Sequence, residues 1–234
     1  MRITIVLQES QLNSDKRYRQ HGNALLYVLI ALALLAALTM AISNQNNASS
    51  DLSAEKLELL TTQTVAFAAG AKNVVDQMMM SGTQVGNLDY LKPGDTGYDV
   101  PPYHNRIFHP DGGGLSLPAV DPNVFISTDD SPVGGWYIGR FNNVEWTPTA
   151  ADDVLLTAYG MNEELCRSIN KKITGSTDIP VVGDVSEELF VDTFYGGAAN
   201  VDLTEDVCPD CEGWPALCVT DGQERVYYNI ISAQ

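Results

Sequence analysis

The run ALLYVLIALALLAALTMAI, from Ala24 to Ile42, constrains this chain more than any other stretch. Its nineteen residues carry no charge, and only Tyr27 and Thr39 are partly polar. A helix needs about 20 apolar residues to cross the hydrocarbon core of a bilayer. The run is also longer than the ~7–15 apolar residues of a cleaved signal peptide. Lys16, Arg17 and Arg19 stand directly before Gly22 and Asn23. Basic flanks stay on the cytoplasmic side. The sequence therefore predicts one membrane-spanning helix with its N-terminus inside and a large exported region behind it.

The charge is divided unevenly. Residues 1–22 hold four Lys/Arg and two acids; of the chain's 13 basic and 30 acidic residues, nine and 28 therefore fall from Asn23 onward, a net charge of −19. Such a surface repels nucleic acid and anionic lipid headgroups at long range, which excludes a nucleic-acid partner. It suits solubility outside the cell or, on a sharper reading, divalent-cation binding. Enough chain follows the span for one cored domain. Four cysteines, Cys166, Cys208, Cys211 and Cys218, lie in the last third, and an even number in an oxidising compartment predicts disulfides.

These features set the expected domains: a cytoplasmic leader over 1–22, a transmembrane helix over 23–43, an amphipathic helical extension over 44–81 and an exported α+β domain over 82–234. Asp51 or Ser53 can cap the extension, with Glu55 and Glu58 near its positive end. Leu57, Leu60, Thr64, Phe67, Ala71, Val74, Val75 and Met78 recur at three-to-four spacing, the mark of an amphipathic helix. A helix unbroken from Ala24 to Met80 would be about 85 Å long, although NQNN at 44–47 can interrupt it. Residues 81–125 are rich in Gly and Pro and read as loops with short strands. Trp136–Ile138, Val144–Trp146 and Val154–Leu156 read as strands, with TPTAADD a turn between the last two. Asn162 caps a predicted helix with Leu165, Ile169 and Ile173 on one face, stopped by Gly175. Ser186–Glu188 opens a shorter helix or turn. Leu217–Thr220 and Arg225–Ile231 flank Asp221-Gly222, a hairpin signal. The expected fold is α+β, a long N-terminal helix packed on a small antiparallel sheet.

A short basic leader ending in Gly, followed at once by an apolar helix that becomes amphipathic, resembles the type IV pilin and pseudopilin class over residues 16–80. IFHPDGGG (Ile107–Gly114) and ELCRSIN (Glu164–Asn170) resemble stretches of poorly characterised proteobacterial pilin-like proteins. The resemblance implies a pilin-like fold and cleavage by a prepilin peptidase after Gly22, so that the mature chain begins at Asn23. It also implies placement in a bacterial inner membrane with a periplasmic C-terminal domain, and other pilin-like subunits as partners in a filament. Two positions depart from the pattern. The usual first mature residue is Phe or Met, where this chain has Asn23. The usual fifth is Glu, where it has Tyr27. A carboxylate in hydrocarbon is costly unless paired, and in the family that Glu pairs with a neighbour's N-terminal amine. Its replacement by Tyr27 fits a minor or tip subunit, and equally a protein that never polymerises.

The remaining motifs admit competing readings. Cys208-Pro-Asp-Cys211 reads as a structural bridge, a redox dithiol or half of a zinc site with Cys166 and Cys218. Four cysteines allow three pairings: Cys166–Cys218 with Cys208–Cys211 is favoured, and the others join Cys166 to Cys208 or Cys211. Asp202, Asp206 and Asp210 are spaced by four, and Asp129-Asp130 and Asp152-Asp153 are further carboxylate pairs. Calcium takes six to eight oxygens, and some pseudopilins bind it in C-terminal loops, but no loop here matches an EF-hand. Cofactors are otherwise not expected. His109-Pro-Asp111-Gly-Gly-Gly, with His104 nearby, invites a catalytic reading, yet the chain has neither a G-x-S-x-G elbow nor H-E-x-x-H, and no Lys-Ser/Thr follows the glycines as in a phosphate loop. A tight turn is the simpler expectation. Met78–Met80 reads as packing rather than copper binding.

The function expected from these readings is a non-enzymatic, minor pilin-like subunit of a type IV pilus or type II secretion pseudopilus. The alternatives are an uncut, single-pass anchored binding or sensing domain, and a secreted protein released before Asn44, where Ala41 and Ser43 supply small residues. The translation start could also lie after residue 13.

Overall fold

The computed structural model describes residues 53–126, 132–189 and 200–233, with Val28 and Leu32 as isolated helical positions. The chain divides into two compact units, Met1–Asp51 and Leu52–Gln234. The predicted leader and nearly all of the predicted 23–43 span lie outside the described residues. Among the described residues no helix is long and apolar enough to cross a membrane.

In the second unit, helix α1 covers Ala54–Met80. Ser53 caps it, its Oγ accepting the Lys56 N–H at 3.4 Å. Leu60, Thr61, Thr64, Ala68, Ala71, Val75 and Met78 are buried; of the predicted stripe, Leu57, Phe67 and Val74 are only partly buried, and Thr61 and Ala68 join it. Ala68 and Ala71 are fully buried, and their small side chains let the helix lie close to its neighbours. It packs against helix α2 (Glu163–Thr174) and strand β4 (Arg225–Ser232). Polar pins sit beside the apolar contact: Thr61 Oγ1 donates to Ser168 Oγ at 2.8 Å, and Lys72 Nζ to the Ile231 carbonyl at 3.0 Å.

Strands β1 (Gly135–Asn142), β2 (Asp153–Tyr159), β3 (Ala216–Thr220) and β4 form one antiparallel sheet in the order β1-β2-β4-β3. Every residue of β2 is buried. That follows from cover on both faces, since successive side chains point opposite ways. Leu156 and Ala158 join the core under α1 and α2, whereas Leu155 and Tyr159 join a second core with Val144, Val182, Leu189, Leu203, Leu217 and Tyr228. Helix α3 (Val185–Leu189) contributes to that second cover. The Asp221-Gly222 hairpin joins β3 to β4; Gly222 takes φ +95°, and Asp221 Oδ1 accepts the Gln223 and Glu224 N–H groups at 2.8 and 2.7 Å.

Two expectations need correction. Val144–Trp146 is not a strand: only Val144 makes a bridge, to Leu203, and a turn follows. Asp153 holds that turn, its Oδ2 accepting the Val144 N–H at 2.9 Å and the Thr147 hydroxyl at 3.0 Å. The 81–125 segment contains isolated bridges, Asp89 to Arg106 and Phe125 to Met161, rather than strands. Its organiser is a buried arginine instead of a ladder.

Candidate functional site

Helix α2 carries the ELCRSIN stretch. Asn162 caps it, its Oδ1 accepting the Glu164 and Leu165 N–H groups at 2.9 and 3.4 Å, and Gly175 ends it in the left-handed region at φ +87°. Leu165, Cys166, Ile169 and Asn170 face inward. Cys166 is bonded to Cys218 of β3, their Cα atoms 5.4 Å apart. One turn further, Asn170 grips the backbone of the same residue. Its Nδ2 donates to the Cys218 carbonyl at 2.8 Å, and its Oδ1 accepts the Cys218 N–H at 2.8 Å. The same Nδ2 reaches the Asp178 carbonyl at 2.7 Å. Strand β3 lies at the sheet edge, where backbone groups lack a neighbouring strand. Asn170 supplies both missing partners at Cys218.

Cys208 is bonded to Cys211 across the short 3₁₀ turn Pro209–Cys211. Both are buried, at 1 % and 0 % exposure, so the C-x-x-C sequence presents no exposed dithiol. All four cysteines are therefore paired in the favoured pattern, and none is left as a thiolate for zinc.

The carboxylates do not converge. Asp202 Oδ1 accepts the Asn143 N–H at 3.1 Å, Asp206 and Asp210 are exposed, and Asp153 is taken up by its turn. Asp129 and Asp130 lie outside the described residues, as do Gly22 and Asn23. Among the described residues no three His, Cys, Asp or Glu side chains could hold a metal ion together.

The HPDGGG stretch closes a knot around Arg106, whose side chain is 5 % exposed. Its Nε donates to Asp89 Oδ2 at 2.9 Å, and its Nη1 donates to the carbonyls of Val100, at 3.1 Å, and Tyr98. Tyr98 and Tyr103 flank the guanidinium, and His109 stacks on Tyr103 with centroids 4.0 Å apart. His109 Nδ1 accepts the Asp111 N–H at 3.1 Å, and His104 is exposed. The glycines are required by proximity. A Cβ on Gly112 would collide with the Arg106 carbonyl; one on Gly113 would sit 2.6 Å from the Ile107 oxygen and 2.8 Å from Met78 Sδ. Met78 thus packs against the knot, Met79 Sδ accepts the Ser232 hydroxyl at 3.5 Å, and Met80 is exposed.

Three residues with structural or chemical roles escaped the sequence reading: Asn170, Arg106 and Lys92. Asn170 follows Cys166 by four residues, a spacing that places both on one helix face. Arg106 gave no such sign, because its acceptors are mostly backbone carbonyls. No protein-family model, no curated protein and no solved structure matches the chain.

Proposed function

We propose that this protein is a minor pilin-like subunit of a type IV pilus or type II secretion pseudopilus, with its exported domain displayed outside the inner membrane. The observation that carries the reading is Gly22-Asn23, set between three basic residues and an uncharged nineteen-residue run. The long amphipathic helix α1, laid on a small antiparallel sheet, is consistent with it. So are the two disulfides, which suit an oxidising compartment. Tyr27, in place of a carboxylate that would pair with a neighbour's amine, is consistent with a tip or initiating place rather than the repeating one. A charge of −19 beyond Gly22 points the same way, since many stacked copies would repel one another. On this reading a prepilin peptidase and other pilin-like subunits are its partners.

The test is the N-terminal residue of the mature protein in its native membrane. Asn23 is expected, and Gly22→Leu should leave a larger, unprocessed form. An uncut N-terminus would instead support an anchored binding domain, and Asn44 a secreted protein. Purified filaments in which this chain is the dominant band would overturn the minor-subunit part alone.

A further inference from the structure

Of the basic residues on the second unit, Lys92 has the least ordinary setting. Its Nζ donates to the Trp136 carbonyl at 3.2 Å and lies 5.0 Å from the centre of the Tyr137 ring. Among the described residues it has no ion-pair partner within 4.0 Å; the nearby Asp95 carboxylate is engaged by the backbone N–H of Lys92 at 2.7 Å. Burial pushes its pKa below the ordinary lysine value, with Asp95 opposing that shift. Lys92 lines a cavity of about 380 Å³ whose other walls include Leu117, Pro118, Val120 and Val133. Val120 and Val133 are more than half exposed at its mouth.

A second cavity of about 220 Å³ shares the Pro118 and Trp136 walls and continues to Leu60, Val124 and Phe125. Asp121 also lines it, its carboxyl held below the usual range by hydrogen bonds from the Asn123 backbone and side chain. The two cavities share the Pro118 and Trp136 walls; the Lys92 ammonium lies at the first and the Asp121 carboxylate at the second. Ligand sites commonly have this composition, an apolar lining with few polar groups that set orientation.

We infer that the Lys92 cavity binds an alkyl carboxylate, its head on the Lys92 ammonium and its chain against Leu117, Pro118 and Trp136. Charge selects the head group: the Lys92 ammonium, with no ion-pair partner within 4.0 Å among the described residues, gains one from the ligand, while Asp121 disfavours an anion in the neighbouring cavity. The inference is independent of the pilin reading, and neither stands or falls with the other.

The experiment is a tryptophan-fluorescence titration of the full-length chain in phosphatidylcholine nanodiscs, which avoid competing detergent. Sodium octanoate, octanol and octylamine are the probes, with empty nanodiscs as the blank. Wild type should give a saturable change with octanoate that is absent in Trp136→Phe. Lys92→Met keeps the apolar stem and removes the charge; it should weaken octanoate by about tenfold or more and leave octanol unchanged. Lys92→Arg, which keeps the charge, should restore octanoate binding to within a few-fold, with near-UV circular dichroism confirming the fold of each variant. Equal octanoate affinity in wild type and Lys92→Met, or a preference for octylamine, would overturn the site. So would a wild-type chain that binds an amidated apolar tetrapeptide there but not octanoate.

Discussion

The α2–β3 clamp and the Arg106 knot both tie a segment to the same core, and they do so by opposite physics. At the clamp, a disulfide with a sequence separation of 52 residues and a neutral amide hold one edge-strand residue. The disulfide acts largely through the unfolded chain, by removing loop entropy. At the knot, a desolvated cation gathers Asp89 and two carbonyls from a segment with little regular structure. That arrangement acts through the folded state, and its worth depends on every partner remaining in place. The difference teaches where each region is fragile: the clamp to reductant, the knot to loss of one side chain.

The largest effect is expected from Arg106→Ala. It leaves the Asp89 carboxylate and two carbonyls without their donor, and breaking a buried pair costs roughly 3–5 kcal/mol. Urea denaturation should show this loss, unchanged by reductant. Stability within about 1 kcal/mol of wild type would mean that water replaces the guanidinium and that the knot is not an anchor. Next comes the Cys166→Ala/Cys218→Ala double variant. Its loop-entropy cost is about 4 kcal/mol, against about 2 kcal/mol for Cys208→Ala/Cys211→Ala, whose cysteines are only three residues apart. Equal losses from the two variants would show that native packing, rather than loop length, governs both bridges.

Asn170→Ala should cost about 2 kcal/mol, because it strands the Cys218 N–H and carbonyl behind a helix. Hydrogen exchange at Cys218 should rise with it; unaltered protection there would remove Asn170 from the clamp. The smallest effect lies at the start of α2. Glu163 is held below the ordinary carboxylate range first by its hydrogen bond with Arg167 and then by Arg225. A depressed carboxylate stabilises above its unfolded pKa, and that contribution fades as pH falls through the folded one. Glu163→Gln should therefore be a few tenths of a kcal/mol less stable than wild type at neutral pH, and less so in high salt. The two should converge in acid, and a gap persisting below that range would place the effect outside the ion pairs.

The regular elements were legible because their causes are local. The α1 stripe, the Asn162 cap, the Gly175 stop and the Asp221-Gly222 hairpin each follow from periodicity or backbone chemistry within a few residues. The misread segments share one property. Val144–Trp146 has strand composition, but Asp153 Oδ2 competes for the Val144 N–H and turns the chain. Nothing near Tyr98 or Val100 shows that their carbonyls will meet an arginine. The loop carboxylates Asp202, Asp206 and Asp210 do not converge, because the first is taken up by the Asn143 N–H and the other two stay exposed.

By itself, then, the sequence determined the apolar run with its basic flank, the acidic region after Gly22 and the α+β class, since charge, hydropathy and periodicity are properties of neighbours in the chain. Only the tertiary structure decided which cysteines pair, that Asn170 grips Cys218, that Arg106 sits at the centre of the irregular half, and that Lys92 lines a largely apolar cavity. Each of those depends on backbone groups and side chains brought together from distant positions, and their desolvation exists only once the core has closed.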